Sequence, residues 1–596
     1  MQTSPGFPKV QADLLLVHPP AFFDFRYRSD IYFPYMSTAG AVPITPLYEY
    51  FPVGFKTLQR YLGDRGHDVK IVNLATVLLK YPQTDMRAFV EAMDVRLFGI
   101  DLHWMVHVQG SIEIARLLKS IHPEVPVIFG GISSTYYVQE LMRYPFIDMV
   151  MRGYETHEPV ADLLTALKQG VPPAGVPNLV WKDRAGQVVD NGFTYTPDNF
   201  ACGVDWTSLP EDSDKSSLSP LLELMSMQNA GCAYNCGWCG GSRDAFRRIF
   251  GRTKAMARKP LDQVAYEFET MKRVSNLDSY YFYSVGSYNE PADRFRFFLD
   301  RVAETNFKSI AYEQFHLTPD DTLKTMVKAN PRTTICLSPE SHDLHIAKLA
   351  GRGVYTMEQL ERWIRKALDY GIHEIDVWFF IGMPEQDERS VFETVDYCGR
   401  LLKLFQGERV LPLLCPMIPF LDPASTFFER PEEHGYRVFY RTAEEHRRGM
   451  ERASIINWCN YETRWLSRSD LVFVGYDAVR RLVKLKGEFG SMPMGVAASV
   501  VEKITDALEW IKIVHQIDNI PDVRARRSEL EKVGPEVLAR NNDIFFSGVA
   551  NQAFPVNREI GGRWFDELLQ EHDAFLASAS GAPPEAAMSL RRSKRS

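Results

Sequence analysis

Short apolar runs recur through the first 200 residues, and stretches with a helical spacing of apolar residues separate them. The runs end at or near Gly, Pro or Asn, which is typical of buried parallel strands. The predicted strands are residues 13–18, 68–73, 97–102, 125–129 and 148–151, and the predicted helices are residues 54–66, 110–121 and 161–170. Strands that alternate with helices in this way predict an α/β fold with a doubly wound parallel sheet.

A second series of the same kind occupies residues 221–425. The strand-like runs are residues 221–228, 279–285, 309–317, 333–337, 374–381 and 410–416, and the predicted helices are residues 260–274, 291–305, 356–370 and 390–405. About six strands joined by helices predict a partial (β/α)6 barrel of the TIM type, open on one side. In such a barrel the chemistry lies at the carboxyl ends of the strands.

Helical patterns dominate beyond the second series. They cover residues 442–453, 470–487, 497–517 and 524–540. We therefore divide the chain into an α/β domain at residues 1–200, a polar linker at 201–220, a partial barrel at 221–425, a mainly helical C-terminal substrate or cap domain at 426–577 and a tail at 578–596. The tail is rich in Ala, Ser and Pro and then in Arg, a composition typical of disorder.

Composition narrows the class of protein. The chain has 596 residues, of which 45% are hydrophobic and 24% charged, as in soluble globular proteins of several domains. The net charge of −8 gives no support for a nucleic-acid partner, which would leave an excess of basic residues. No apolar run is long enough to span a membrane, and the first ten residues lack a secretion signal. We therefore expect a cytoplasmic protein with no nucleic-acid or membrane partner.

Three of the eight cysteines are clustered, and they are the strongest chemical signal in the chain. Cys232, Cys236 and Cys239 have the spacing C-x3-C-x2-C. Three thiolates this close can each bind one iron of a cubane cluster. Because no fourth cysteine is nearby, one iron would be left to bind a substrate or a cofactor. The alternatives are a zinc site, which needs a fourth Cys or His at short spacing, and three buried thiols.

With Trp238 before the last cysteine, this pattern resembles the radical S-adenosylmethionine (SAM) enzymes. The resemblance implies that the open iron of a [4Fe–4S] cluster chelates the amino and carboxylate groups of SAM. An electron from the cluster then cleaves SAM to a 5′-deoxyadenosyl radical, and an external flavodoxin or ferredoxin type of donor supplies that electron.

The same resemblance assigns SAM-binding positions at the carboxyl ends of the barrel strands. The end of the second strand, at Ser284, is expected to hold the SAM amino group, although its sequence departs from the family's Gly-Gly-Glu pattern. Ser338 and Glu340 match the position that grips the ribose hydroxyls, and the strand that reaches Gly382 matches the one whose backbone touches adenine. The expected SAM-binding residues are Trp238, Ser284, Glu313, Ser338, Glu340 and Gly382.

The first 200 residues resemble a cobalamin-binding, Rossmann-like domain. The resemblance is carried by the strand order and by the segments Val-Ile-Phe-Gly-Gly and Met-Arg-Gly-Tyr-Glu. Ligands of such sheets lie beyond the carboxyl ends of the strands. The expected cobalamin-binding residues there are Pro19, Pro20, Leu102, His103, Trp104, Gly130, Gly131, Ser133, Gly153 and Glu155. A flavin- or nucleotide-binding domain has the same strand pattern and stays an alternative.

The loop after the first strand departs from the family pattern in which a histidine replaces the lower cobalt ligand. That pattern is D-x-H-x-x-G, whereas the loop here is His18-Pro19-Pro20. We therefore expect cobalamin bound with its own base displaced and no firm protein ligand. The alternative is His103 near the corrin, because Asp101-Leu102-His103 looks like the start of the motif after a different strand.

Together the two parts resemble the cobalamin-dependent (class B) radical SAM enzymes. The resemblance implies transfer of a methyl group from SAM, via methylcobalamin, to an unactivated carbon of a small-molecule or carrier-tethered intermediate. An antibiotic-pathway heteroaromatic such as a pyrrole is one guess. An unactivated C–H bond has no lone pair to attack a sulfonium, so a radical is needed and no general base is expected. Tyr281 and Tyr283 are candidate hydrogen-atom donors or groups next to the radical, and Asn460 and Tyr461 are candidate substrate-binding residues.

Two other functions remain open on the sequence. One is a non-methylating enzyme with the same cofactors, catalysing a cyclisation, a ring contraction or an oxidation. The other is a non-enzymatic cobalamin-binding regulator with a degenerate barrel.

Overall fold

The computed structural model of the chain describes residues 7–40, 46–47, 53–208, 222–273, 280–285, 291–305, 307–417 and 420–546, together with Trp564 and Leu568. Within these residues the three predicted kinds of domain are present: an α/β domain, a barrel-like parallel sheet and a helical C-terminal region. No helix in these ranges has the length and apolar composition needed to cross a bilayer.

The N-terminal domain is built on a seven-stranded sheet. The strands of the domain, two of which lie outside this sheet, are β1 (Val10–Ala12), β2 (Leu14–His18), β3 (Val69–Asn73), β4 (Met93–Val95), β5 (Phe98–Asp101), β6 (Val127–Gly130), β7 (Met149–Met151), β8 (Leu179–Lys182) and β9 (Val188–Asp190). Its helices are α1 (Val53–Gly63), α2 (Leu74–Lys80), α3 (Met86–Glu91), α4 (Val108–Ile121), α5 (Ile132–Tyr136), α6 (Val138–Leu141) and α7 (His157–Gln169). The order is β3-β2-β5-β6-β7-β8-β9, while β1 and β4 pair separately.

The predicted doubly wound sheet is confirmed. Strands β3, β2, β5, β6 and β7 are parallel, and β8 and β9 extend the sheet as an antiparallel hairpin. Along β2, Leu14 and Leu16 belong to one apolar core while Leu15 and Val17 belong to another. Burial on both faces explains the continuous apolar run. The strand order reverses between β2 and β5, so a ligand crevice is expected beyond His18 and Asp101.

The second domain is a six-stranded, all-parallel sheet in the order β10-β13-β14-β15-β16-β17. The strands of this part are β10 (Leu222–Met227), β11 (Asn229–Gly231), β12 (Met256–Arg258), β13 (Tyr280–Val285), β14 (Ser309–Gln314), β15 (Thr333–Glu340), β16 (Glu374–Ile381) and β17 (Val410–Pro416). The helices are α8 (Arg243–Phe250), α9 (Leu261–Arg273), α10 (Ala292–Thr305), α11 (Asp320–Ala329), α12 (Leu344–Leu349), α13 (Met357–Asp369) and α14 (Glu388–Leu404). Strands in chain order with two open edges form the predicted partial barrel.

Local sequence explains several of these boundaries. Helix α13 begins at a capping box in which the Thr356 side chain accepts from the backbone of Gln359, and the Gln359 side chain accepts in return. Strand β16 alternates buried and half-buried residues along its length, as expected for a strand with helices on one face and a barrel interior on the other.

The C-terminal region is mainly helical, as predicted. Its elements are α15 (Thr426–Glu429), β18 (Tyr436–Val438), α16 (Ala443–Met450), α17 (Ile455–Trp458), β19 (Tyr461–Thr463), α18 (Arg468–Glu488), α19 (Met494–Asp518) and α20 (Val523–Phe546). These elements share one continuous apolar core with the barrel and with one face of the N-terminal sheet. The predicted tail at residues 578–596 lies outside the described residues.

The C-terminal helices hold a long segment that follows β2 against the open edge of the barrel. The Asn541 amide donates to the Ile31 carbonyl at 2.8 Å, and its oxygen accepts from the Phe33 backbone at 2.9 Å. The Lys486 ammonium donates to the Ala39 carbonyl at 2.7 Å. The Leu414 N–H of β17 donates to the Thr38 carbonyl at 3.1 Å. The helical region therefore fixes part of the N-terminal domain at the β17 edge.

The first part of the predicted linker is anchored to helix α9. The Val204 N–H donates to the Glu267 carboxylate at 2.8 Å, and the Trp206 N–H donates to the Thr270 hydroxyl at 3.2 Å. The rest of the predicted linker, residues 209–220, lies outside the described residues. These contacts give residues 202–208 a structural role between the two α/β units.

Candidate active site

The three clustered cysteines lie in the loop between β11 and α8, at the carboxyl end of the barrel sheet. Backbone N–H groups of Tyr234 and Gly241 donate to the sulfurs of Cys232 and Cys239, each at 3.3 Å. Each of the three thiols lies within electrostatic range of the other two. The loop therefore holds three sulfurs with backbone donors already directed at two of them.

In the absence of a metal, burial favours the neutral form of two of these thiols. Burial raises the pKa of Cys236 to about 11, against the opposing effect of Arg352, and burial raises the pKa of Cys239 well above its usual range. Buried thiols of this kind are held as thiolates only with a cationic partner, and bound iron is such a partner.

Among the described residues, no group of three or more His, Cys, Asp or Glu is gathered closely enough to hold a single metal ion.

The loop that follows α12 packs against the loop of residues 232–242, here called the cysteine loop. The Gly237 N–H donates to the Ala350 carbonyl at 3.0 Å. Gly351 has a φ of +93°, and a Cβ there would lie 2.7 Å from the Asn235 carbonyl oxygen and 3.0 Å from the Cys236 Cα. Only glycine permits this approach. The next residue, Arg352, donates from Nε to the Cys236 sulfur at 3.1 Å.

Two of the predicted SAM-binding residues lie at the cysteine loop: Trp238 is part of it, and Glu340 is held next to it by Arg352. Trp238 stacks on Phe380 of β16, with ring centroids 5.4 Å apart and planes inclined by 30°. Glu340 ends β15 in a left-handed conformation and lies 3.2 Å from Arg352 Nε. Burial raises the pKa of Glu340 to about 7, although Arg352 opposes this shift. Glu340 thus forms an ion pair with Arg352, but neither of its buried carboxylate oxygens accepts a hydrogen bond from the described residues.

The other predicted SAM-binding residues are spread along the same end of the sheet. Ser338 lines a small pocket with Arg352 and Tyr355. Glu313 lies on β14, where burial raises its pKa. The Gly382 N–H donates to Gln386 at 2.8 Å, and its carbonyl accepts from the Tyr436 hydroxyl at 2.7 Å. Both polar backbone groups of Gly382 are therefore already bonded, and contact with adenine stays a prediction for this strand.

Strand β13 carries three predicted residues. Ser284, Tyr281 and Tyr283 lie on its backbone between β10 and β14, and their side chains lie outside the described residues. Their roles stay predictions.

Most of the predicted cobalamin-binding residues meet at the carboxyl edge of the N-terminal sheet. The Leu102 N–H donates to the Gly130 carbonyl at 2.8 Å, and the Ser133 hydroxyl donates to the His103 carbonyl at 3.0 Å. Gly131 has a φ of +109°, and a Cβ there would lie 2.7 Å from the His103 Cα. A Cβ on Gly130 would meet nothing within 4 Å. The edge thus combines a tightly packed loop with open space for a ligand.

The buried carboxylate of Asp101 links β2 to the loop of residues 102–107, which follows β5 and is here called the cobalamin loop. Asp101 accepts from His18 Nδ1 at 3.0 Å and from His103 Nδ1 at 3.1 Å. Burial opposes ionisation, but these two histidines hold the pKa of Asp101 well below its usual range. A carboxylate that receives Nδ1–H of an imidazole fixes the ring with Nε2 facing outward, the arrangement found in metal-ligating histidines. Asp101 therefore orients the half-exposed His103 ring. This orientation is compatible with the alternative prediction that His103 lies near the corrin.

The structure joins the predicted cobalamin loop to the cysteine loop through Asp422. Its carboxylate accepts from Trp104 Nε1 at 3.3 Å and from the Gly240 N–H at 3.0 Å. Trp104 belongs to the N-terminal domain, whereas Gly240 directly follows Cys239. Asp422 itself follows β17, in a Pro-rich segment at the end of a barrel strand. A single side chain from the barrel therefore touches both candidate cofactor loops.

Helix α8, which follows the cysteine loop, contacts the N-terminal domain at the loop after β7. The Tyr154 ring, which follows Gly153, packs on Phe246 and Phe250, each at a centroid distance of 5.0 Å. The Gly153 N–H donates to the Thr135 hydroxyl at 3.1 Å, so the β7 loop also adjoins α5. The helix after the cysteines thus lies directly on the N-terminal domain.

Glu155 is not brought to the open edge with the other predicted cobalamin residues. Its carboxylate bonds to His157 and accepts from the Ala201 N–H at 3.2 Å. Burial disfavours the imidazolium, but Glu155 and Cys202 outweigh it and raise the pKa of His157 to about 9. The pair therefore anchors the start of α7 to the linker, and a contact of Glu155 with cobalamin stays a prediction.

This ion pair predicts a loss of stability at alkaline pH. The folded-state pKa of His157 lies above the unfolded value of about 6.5, so its contribution is complete below that pH and is lost as pH rises through about 9. The free energy of unfolding should fall by on the order of 3 kcal/mol across this window, since one pKa unit corresponds to about 1.4 kcal/mol. Denaturant unfolding at several pH values measures this. In His157→Gln this part of the pH dependence should vanish, and an unchanged profile would contradict the assignment.

Asn460 and Tyr461, the weak substrate candidates, are fully buried and bonded to the loop that carries Asp422. The Asn460 side chain accepts from the Leu421 N–H at 2.7 Å and donates to the Leu421 carbonyl at 2.9 Å. The Tyr461 hydroxyl donates to the Met417 carbonyl at 2.7 Å. These bonds fix the β17 loop, and a contact with substrate stays a prediction.

Sequence reasoning missed three residues of this site: Asp422, Arg352 and His18. The available signals were their positions after β17, after α12 and at the end of β2, all at the carboxyl side of a parallel sheet. Nothing in the local pattern distinguishes them from ordinary loop residues.

Comparison with known families matches both domains. A model of the B12 binding domain matches residues 41–161, and a model of the radical SAM superfamily matches residues 229–398. The chain therefore contains a B12 binding domain followed by a radical SAM domain. Its cofactors are a [4Fe–4S] cluster, SAM and cobalamin. This radical SAM protein has no match among curated protein sequences.

Solved structures align with this chain at low sequence identity, and the two with TM-scores of 0.50 and 0.51 share its fold. The radical SAM methyltransferase TsrM from Kitasatospora setae, with cobalamin and a [4Fe–4S] cluster bound, aligns at 15% identity and a TM-score of 0.51, covering 80% of this chain and 89% of TsrM. A second TsrM structure, with tryptophan substrate and a SAM analogue, aligns at 16% identity and a TM-score of 0.50, covering 72% and 78%. The cobalamin-dependent SAM radical enzyme OxsB aligns at 13% identity and a TM-score of 0.49, covering 96% and 81%.

Proposed function

We propose that the protein is a methyltransferase that moves a methyl group from SAM to an unactivated carbon of a small-molecule or carrier-bound substrate. The observation that carries the proposal is the Asp422 carboxylate, which is bonded to Trp104 of the cobalamin loop and to Gly240 of the cysteine loop. A methyl carrier and a radical source must be held close together for a methyl group to meet a carbon radical, and a side chain shared by the two loops supports such an arrangement.

The residues present divide the work between the two loops. When bound, the cluster with SAM supplies a carbon radical, and cobalamin supplies a transferable methyl group. Cys232, Cys236 and Cys239 would hold the cluster, and the loops at His103 and Gly130 would hold cobalamin. Trp238, stacked on Phe380, offers an aromatic surface beside the cluster for the adenine of SAM.

The remaining task of the protein is to fix distance and orientation. A hydrogen atom leaves the substrate as an atom, so no side chain has to remove a proton. Asp422 sets the separation of the two loops, and the C-terminal helices fix residues 28–40 along the β17 edge. Holding reactants in a reactive geometry can supply roughly 7–11 kcal/mol of a barrier.

The overall reaction is balanced as follows. One substrate C–H, two molecules of SAM and two electrons give one methylated product, one S-adenosylhomocysteine, one 5′-deoxyadenosine and one methionine. The electrons come from a donor of the flavodoxin or ferredoxin class.

We further propose a cytoplasmic enzyme of an antibiotic pathway, acting on a heteroaromatic such as a pyrrole.

Anaerobic turnover with methyl-labelled SAM tests this proposal. The reconstituted protein, a reductant and candidate substrates should yield S-adenosylhomocysteine and 5′-deoxyadenosine in equal amounts, with label in the product. Cys239→Ala, which lacks one cluster ligand, serves as the control and should yield no 5′-deoxyadenosine.

Other outcomes of the same experiment assign other functions. 5′-Deoxyadenosine without S-adenosylhomocysteine would indicate a non-methylating enzyme, and neither product would indicate a regulator. Label that never leaves SAM, with a full cluster under reducing conditions, would refute methyl transfer.

A further inference from the structure

We propose that Arg352 sets the reduction potential of the cluster by donating a hydrogen bond to the sulfur of Cys236. The Nε–sulfur distance is 3.1 Å, and the Arg352 side chain is 4% exposed. Reduction potentials of iron–sulfur clusters depend on net charge, on hydrogen bonds to the sulfurs and on solvent exposure. Arg352 acts on all three, since it is a buried cationic donor that covers the thiolate.

The chain around Arg352 is shaped to present this side chain to Cys236. The Gly351 backbone lies so close to Asn235 and Cys236 that a Cβ there would collide with both. The Arg352 N–H donates to the Ala347 carbonyl at 2.8 Å, which fixes the residue at the end of α12. The contact is therefore built by a tight loop and does not depend on a long side chain reaching across solvent.

The guanidinium is held from several sides. Its Cζ lies 3.2 Å from the Phe315 ring centroid and 5.1 Å from the Tyr234 ring centroid. Its Nε also lies 3.2 Å from the Glu340 carboxylate, which is fully buried. Aromatic rings attract a desolvated cation through their quadrupoles. These neighbours leave the guanidinium little freedom to move away from the sulfur.

Glu340 gives the arrangement an opposing charge. Arg352 stabilises the extra electron of the reduced cluster, because it is positive and donates to a ligand sulfur. The Glu340 carboxylate partly cancels that positive charge. Removing Arg352 and neutralising Glu340 should therefore move the reduction potential in opposite directions, which a merely structural role would not produce.

An EPR-monitored redox titration of the reconstituted protein, without SAM and at mildly alkaline pH, tests the proposal. In Arg352→Gln the reduction potential of the cluster should become more negative by at least about 59 mV. For a one-electron couple this corresponds to a tenfold change in the ratio of oxidised to reduced cluster. In Arg352→Lys, which keeps the charge but loses the Nε donor, the shift should have the same sign and be smaller. In Glu340→Gln the potential should become less negative.

The control is Arg247→Gln, which removes an exposed arginine from α8 close to the same loop. Its charge is screened by solvent, so the potential should not change. Equal shifts in Arg352→Gln and Arg247→Gln, or a negative shift in Glu340→Gln, would overturn the proposal. If Arg352→Gln fails to hold a cluster, the Arg352→Lys and Glu340→Gln shifts decide alone.

The inference rests on the cluster and not on methyl transfer. Shifted potentials in a protein that transfers no methyl group would leave it standing while the proposed function fails. Unshifted potentials in an active methyltransferase would refute it alone.

Discussion

Cys236→Ala should abolish 5′-deoxyadenosine formation while cobalamin still binds. Cys236 is the most deeply buried of the three clustered cysteines, and it is the one bonded to Arg352. Loss of outer partners of a metal site typically costs roughly 10–100-fold, and loss of a direct ligand should cost more. The measurements are the iron and sulfide content, the visible spectrum after addition of hydroxocobalamin, and the rate of SAM cleavage.

The matched control for this variant is Cys398→Ala, which removes a buried thiol of α14 that lies away from the loop. It should keep a full cluster and normal SAM cleavage. A Cys236→Ala protein with full iron content and undiminished cleavage would show that the three cysteines do not form the cluster site.

The second large effect is expected at Asp422. Asp422→Ala removes the acceptor for both Trp104 and Gly240, so the two loops lose their common partner. The cysteines are untouched, and SAM cleavage should continue. Methyl transfer requires the two cofactors to keep their relative position, and a displacement of about 1 Å can cost roughly 100-fold. We expect methylated product per 5′-deoxyadenosine to fall by about that factor, measured with labelled SAM and a substrate that the native protein methylates.

A control separates this effect from a general weakening of the domain contact. The Tyr144 hydroxyl donates to the Glu444 carboxylate at 2.5 Å, a bond between the N-terminal domain and α16 that touches neither cofactor loop. Tyr144→Phe should leave the product ratio unchanged. If Asp422→Ala keeps the native ratio, or if both variants lose it equally, Asp422 does not align the cofactors.

The sequence predicts well those features that short-range patterns determine. Strands β16 and β17 begin and end at the predicted residues, because apolar alternation, charged flanks and prolines mark both ends locally. The spacing of Cys232, Cys236 and Cys239 likewise needs only one loop. Resemblance to a family then added the cofactors that such a loop serves.

The missed residues all depend on contacts between distant parts of the chain. Trp104 and Asp422 are 318 positions apart, and Arg352 and Cys236 are 116 positions apart. Local pattern carries no information on such pairs. The role expected for Glu340 came from the family resemblance, and the structure adds an ion pair with Arg352 that the sequence could not show. The Asn460 side chain is already bonded to the backbone of Leu421.

We propose that the corrin and the cluster face each other across the Trp104–Asp422–Gly240 contact. Pulsed EPR on the reconstituted protein tests it most directly, with cobalamin as the paramagnetic Co(II) form and the cluster either oxidised or reduced. We predict that reduction of the cluster strongly enhances the relaxation of the Co(II) signal through dipolar coupling. A Co(II) signal that relaxes at the same rate in both states would place the two cofactors far apart and contradict the account.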